Sequence, residues 1–261
     1  MFWGNHSQMN HLEVWKADYP YPEGSEGNQS CLLDQSRFPK LRRLHLHSPS
    51  FDTMDEISRH KEFPSLQELC MHAPGPHWMD FVRPCVSTLV KLSLRFEEDL
   101  DGRGGNFVEE ILLPRLTHLS CIFSSQADST HWQIPTFVTP ALEHYLQEHS
   151  FKRDLIHKDV SKVNTLIIKG ACNVDWNLFP SLITLELHEE TSEVKTTCKG
   201  LAADPGLCPH FQSLVVYRPR HETGDNNPWP DFFETRTRIT QKKILCELDV
   251  QKYRIDPVSL R

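Results

Sequence analysis

Nowhere in its 261 residues does the chain run to the roughly 20 consecutive apolar residues that a membrane-spanning helix needs. Its opening, MFWGNHSQMNHLEVW, lacks the charged start and continuous apolar segment of a secretory signal. Long basic runs are also missing. With 28 Lys and Arg against 35 Asp and Glu, the net charge is -7, which argues against the clustered cations that nucleic-acid or anionic-membrane binding requires. No two of the cysteines at 31, 70, 85, 121, 172, 198, 208 and 246 are spaced as CxxC, which speaks against zinc ribbons and thioredoxin-type motifs. Without a signal, the cysteines are expected to be reduced and the sequons at Asn5 and Asn28 to carry nothing. The expectation is a soluble intracellular protein, cytoplasmic or nuclear, with neither nucleic acid nor membrane as a partner.

Motifs of catalysis are equally scarce. The GRGG at 102–105 has no GxxxxGK[ST] frame for holding phosphate and reads as a flexible loop. Glu97, Glu98, Asp99 and Asp101 lack the ligand spacing and terminal Glu of a calcium loop. His144 and His149 stand five apart rather than the four of a zinc-protease helix. Neither a nucleophile elbow nor a dinucleotide fingerprint occurs. No cofactor and no catalytic set are expected.

What the chain does contain is repetition. FPSLQELCMH at 63–72 returns as FPSLITLELH at 179–188, and looser copies follow the pattern LxxLxL, most of them led by a proline. The three apolar places are Met9, Leu12 and Val14; Leu41, Leu44 and Leu46; Leu66, Leu69 and Met71; and Leu89, Leu92 and Leu94. They continue as Leu116, Leu119 and Cys121; Val163, Leu166 and Ile168; Leu182, Leu185 and Leu187; and Phe211, Leu214 and Val216. A degenerate copy, TPALEHYLQ, keeps Leu142 but puts Tyr145 and Gln147 in the other two places. From Leu41 onward the first places step by 25, 23, 27, 26, 21, 19 and 29 residues, around the lengths of leucine-rich repeats.

The second half of each copy, xLxLx, alternates as a short strand does, and the first leucine fills the same core from the preceding turn. One such unit cannot bury its apolar side, whereas stacked units can, with their strands about 4.8 Å apart in a parallel sheet. The fold class expected is therefore α/β: a leucine-rich-repeat solenoid of about eight irregular repeats over 1–228, followed by a closing element or tail over 229–261. Short helices are expected on the convex side, at DTMDEISRHKEF (52–63) and NFVEEILL (106–113). Surface loops are expected at 18–37, 97–106 and 220–231, and KKILCELDVQKY (242–253) as a last strand or closing element. The first copy begins nine residues into the chain, without room for a polar cap, which points to a shortened version of a longer protein.

Residues between the core leucines would face outward and stack from repeat to repeat. One row runs Arg43, Glu68, Lys91, His118, with signs that allow lateral pairing. A middle row holds His45, Cys70, Ser93 and Glu186. A last row runs Trp15, His47, His72, Arg95, Ile122, Lys169, His188, Tyr217 and is cationic or aromatic almost throughout. Aromatic, Arg and His positions of this kind suit a protein partner. The candidate protein-binding residues are thus Trp15, Arg43, His45, His47, Glu68, His72, Arg95, His118, Lys169, Glu186, His188 and Tyr217. His45, His47, Cys70 and His72 are chemically suited to zinc, but ligands on a flat strand pair converge poorly on a tetrahedral centre, and no metal is expected.

FPKLRRLHL, LPRLTHL, TPALEH, FPSLITLEL and LCPHFQSLVV followed by FFETRTR resemble the irregular leucine-rich-repeat region of fungal F-box-like proteins, over roughly residues 9 to 240. The resemblance implies a substrate-holding repeat region, which in that family accompanies an F-box that docks on a ubiquitin-ligase adaptor. Nothing in the first 40 residues reads as an F-box. The reading is a non-enzymatic recognition scaffold for another protein. Its alternatives are a truncated, partner-dependent paralogue and a compact α/β enzyme.

Overall fold

A computed structural model of the chain describes residues 8–15, 38–47, 65–72, 78–96, 110–123, 136–149, 153–154, 157, 159–170, 172–188, 199–204, 206–217 and 245–248. The loops expected at 18–37, 97–106 and 220–231, the helix expected at 52–63, and the acids and glycines of 97–105 lie outside these residues. The chain divides into two compact units, 1–141 and 142–261.

In the first unit β1 (His11–Trp15), β2 (Arg43–His47), β3 (Glu68–His72), β4 (Lys91–Phe96) and β6 (His118–Phe123) lie side by side, each parallel to the next. The register joins Leu12, Leu44, Leu69, Leu92 and Leu119 in one row, and Val14, Leu46, Met71, Leu94 and Cys121 in another. In the second unit β8 (His144–His149), β10 (Thr165–Lys169), β12 (Thr184–His188), β13 (Ser213–Tyr217) and β14 (Leu245–Leu248) do the same, with Tyr145, Leu166, Leu185 and Leu214 in register. The last strand expected near the end of the sequence is thus β14. From Leu41 onward every position that the repeat assigns to the core is at most 3% exposed, Gln147 of the degenerate copy included. Met9 and Leu12 are half-buried, since β1 has a described neighbour on its β2 side only.

Two backbone devices recur with the repeat. The first is a tight turn, in which Leu41, Leu116, Val163, Leu182 and Phe211 donate their N–H to the carbonyls of Phe38, Leu113, Val160, Phe179 and Cys208 at 3.0 to 3.2 Å. Proline stands second in four of these turns, where its fixed φ is already correct and its missing N–H costs nothing. The residue before it, such as Phe38, Leu113, Phe179 or Cys208, is buried and gives each repeat a fourth core side chain. The second device is a shared acceptor ahead of each strand. The carbonyls of Asn10, Arg42, Gln67, Val90, Glu143, Asn164 and Ile183 each take two successive N–H groups of the next repeat, at 2.8 to 3.1 Å. A carbonyl has two lone pairs, so one acceptor satisfies both donors and locks the register before the strand begins.

Helices are few among the described residues. α1 (Met79–Val82) runs into a 3-10 turn at Arg83–Cys85, with Met79, Val82 and Cys85 buried on one side. A second 3-10 turn, Trp176–Leu178, opens on Asp175, whose carboxylate accepts from the N–H of Asn177 at 3.1 Å. The helix expected at 106–113 is corrected: Glu110–Leu112 is a strand, β5, parallel to β7 (Thr136–Val138). Burial there alternates from residue to residue, with Ile111 and Leu113 inside and Leu112 56% exposed, and Pro114 holds Leu113 extended. In the second unit a two-residue pair, β9 (Arg153–Asp154) with β11 (Cys172–Asn173), follows β8 and β10. No helix among the described residues is long and apolar enough to cross a membrane.

Candidate functional site

Parallel sheets usually have both faces covered and read as continuous apolar runs. Here burial alternates: β2 runs exposed, buried, half-buried, buried, half-buried, and β3, β10 and β12 follow the same period. One face is closed by the leucines, and the other carries the residues between them.

On the first unit this open face has three rows set by the strand register. They are His11, Arg43, Glu68, Lys91 and His118; then Glu13, His45, Cys70, Ser93 and Ser120; then Trp15, His47, His72, Arg95 and Ile122. The side chain of Trp15 lies outside the described residues. Glu68 turns to one side only: its carboxylate meets Arg43 Nε at 3.3 Å and comes within 3.6 Å of His45 Nε2. Lys91, across the register on its other side, is exposed and makes no ion pair among the described residues. His118 Nδ1 lies 2.8 Å from the Thr117 hydroxyl.

The best-ordered part of the face is a chain of three groups from three strands. Glu13 Oε1 accepts from His47 Nε2 at 2.9 Å, and His47 Nδ1 lies 3.1 Å from His72 Nδ1, the two rings meeting edge to face. A single proton between the Nδ1 atoms satisfies both. A neutral His47 requires His72 to donate it, and a protonated His47, held by Glu13, donates its own. His72 is neutral in either case. Burial, the neighbouring His47 and Arg95, and then His45 lower its pKa to about 4, against the pull of Glu13. Cys70 stands on the same strand. Burial pushes its thiol up, with Glu68 and Glu13 in the same direction, against a hydrogen bond with Ser93 and the charge of Arg95.

The open face of the second unit has a different character. Its middle row is Leu146, Ile167, Glu186 and Val215, and its last row Glu148, Lys169, His188 and Tyr217. Lys169 pairs with Glu148 at 3.2 Å, and His188 Nε2 lies 3.9 Å from Glu186. The His188 ring stacks on Tyr217 with centroids 4.1 Å apart. Tyr217 is only 8% exposed and Val215 beside it on β13 equally so, which makes them less of a contact surface than the rest of this face.

Of the candidates of the periodic reading, Trp15, Arg43, His45, His47, Glu68, His72, Arg95 and His118 belong to the first unit, and Lys169, Glu186, His188 and Tyr217 to the second. That reading does not pick out Glu13 or Glu148, the partners of His47 and Lys169. Glu13 occupies the same place in its copy as His45 does in the next, so the alternation was enough to find it. Glu148 lies in the degenerate copy, where the leucines that set the frame are absent. Among the described residues no group of three or more His, Cys, Asp or Glu is arranged to hold a metal ion. Cys70, Cys85, Cys121, Cys172 and Cys208 are free thiols. Compared with known proteins, the sequence matches no family model and no curated relative.

Proposed function

We propose that the chain is a non-enzymatic recognition scaffold of leucine-rich repeats, whose open sheet faces hold another protein as the substrate-binding region of an F-box-like ubiquitin-ligase adaptor. The observation that carries this reading is the one-sided burial of β2, β3, β10 and β12, a parallel ladder with one apolar face closed and the other open. An open face of this kind presents residues from consecutive strands at a spacing of about 4.8 Å, a surface suited to a macromolecular partner more than to a small molecule enclosed on all sides. The repeated turn and shared-carbonyl acceptor support repeats as the building unit.

Affinity capture from the native cell with mass spectrometry tests the reading, comparing the unaltered chain with the double variant His72→Glu, Arg95→Glu. The expected result is a set of partners lost from the variant while its circular dichroism is unchanged. Identical partner sets would remove the first face from the binding surface. A ubiquitin-ligase component among the partners, brought by a protein that carries an F-box, is expected from the resemblance, and its absence would remove that part.

A further inference from the structure

We infer that the open face of the first unit binds an extended peptide segment rich in aspartate and glutamate, laid across β1, β2, β3, β4 and β6. The inference rests on the recognition reading and names the chemistry of the partner. Its basis is a local reversal of charge. The chain as a whole carries -7. The three rows of this face hold Arg43, Lys91 and Arg95 against Glu13 and Glu68, together with His11, His45, His47, His72 and His118. The fixed charges sum to +1: Arg43 and Glu68 offset one another at 3.3 Å, which leaves Lys91 and Arg95 against Glu13, itself hydrogen-bonded to His47 at 2.9 Å. Lys91 has no such partner among the described residues. An arriving carboxylate therefore meets cations and imidazole N–H donors, while the face's own carboxylates are held at close range by their partners.

Geometry sets the reach of such a segment. Four gaps of about 4.8 Å separate five strands, so the face is roughly 19 Å wide and matches about six residues of extended chain. Arg43, 63% exposed, and Lys91 stand in one row two strands apart, so carboxylates about three residues apart on a crossing segment meet both, while Arg95 lies four residues further along the strand of Lys91, at another row. A nucleic acid fits less well, because its affinity depends on neutralising many phosphates, and the face supplies three fixed cations within a negative molecule. The open face of the second unit offers no such reversal. Glu148 and Glu186 there outnumber Lys169, and the middle row is mostly apolar.

Fluorescence anisotropy with the full chain tests this directly. The probes are labelled peptides of about six residues: one alternating Asp and Glu, one with Asn and Gln in their place, and one with phosphoserine among amides. A single-stranded RNA of similar length is the fourth. The acidic peptide is expected to bind about tenfold or more tightly than its amide counterpart, and to weaken severalfold between about 50 and about 200 mM salt. Lys91→Gln with Arg43→Gln is expected to weaken it about tenfold, whereas Lys162→Gln, in an exposed turn of the second unit, leaves it unchanged. Arg43→Gln alone serves if the double variant loses its circular dichroism. Equal binding of the acidic and amide peptides, no loss in the Arg43 and Lys91 variants, or binding confined to the phosphopeptide or the RNA would overturn the proposal. Partner capture that depends on His72 and Arg95 without any preference for acidic peptide would overturn the partner class and leave the recognition reading standing. Acidic-peptide binding with no captured partner would do the reverse.

Discussion

Gly170 shows how closely the second unit is built at single positions. Its φ of +87° lies in the left-handed region, and a Cβ there would stand 1.8 Å from the His149 carbonyl oxygen. The contact is backbone, so no side-chain rotation relieves it. Its N–H donates to the His188 carbonyl at 3.1 Å, tying the end of β10 to β12. Gly170→Ala is expected to destabilise the fold by more than about 1 kcal/mol, read as a lower midpoint in urea unfolding. An unchanged midpoint would show that the loop adopts another path. Buried positions that are not leucine follow the same close fitting. Cys121 fills a leucine place, and burial pushes its thiol up to about 12, so it acts as a small apolar side chain. Tyr145 and Gln147 fill two more by satisfying one another: the tyrosine hydroxyl donates to Gln147 Oε1, and Gln147 Nε2 reaches Cys172 Sγ at 3.6 Å. Nothing in an apolar template anticipates that exchange, because it depends on a cysteine brought back from 25 residues away.

At the scale of one strand, each repeat stakes its stability on two inward side chains and leaves its outward ones interchangeable. Leu185 of β12 is fully buried between Leu166 and Leu214, while its neighbour Thr184 faces the open side and is half-buried. Leu185→Ala is expected to cost about 2 to 5 kcal/mol, and Thr184→Ala within about 0.5 kcal/mol. Chemical denaturation of the pair measures this, and comparable losses at both sites would contradict the assigned faces. The strands were legible from the sequence because period two and the LxxLxL spacing are local signals. β5 was not: EEILL suits a helix by propensity and becomes a strand only because β7 is there to pair with it. α1 was passed over as well, although Met79, Val82 and Cys85 repeat every three residues.

Across the whole molecule, each unit keeps a histidine neutral. His72 on the first and His157 on the second are both lowered to about 4. For His157 the cause is burial, opposed by the charge of Asp159 and a backbone hydrogen bond from the same residue. An unfolded histidine takes up its proton near about 6.5, so between that value and about 4 the unfolded chain binds more protons than the folded one. Stability is therefore expected to rise with pH across this window and, from these two groups, to gain nothing further above it. Urea midpoints at about pH 4.5, 5.5 and 7 measure the slope, and His157→Gln is expected to reduce it. A slope unaltered by that substitution would mean that the ring is solvated in solution.

Sequence by itself determined which residues go inside, because the apolar places recur in a fixed order and each strand alternates whatever lies beside it. It also determined the tight turns, since proline is pre-set for them. Only the tertiary structure decided which outward residues meet. Whether Glu68 turns to Arg43 or to Lys91, and that Glu13, His47 and His72 join in one chain, depends on side-chain distances between residues far apart in the chain. Periodicity sets the row in which a charge stands, but the energy of a pair falls with distance and burial, and those quantities exist only once the strands are stacked.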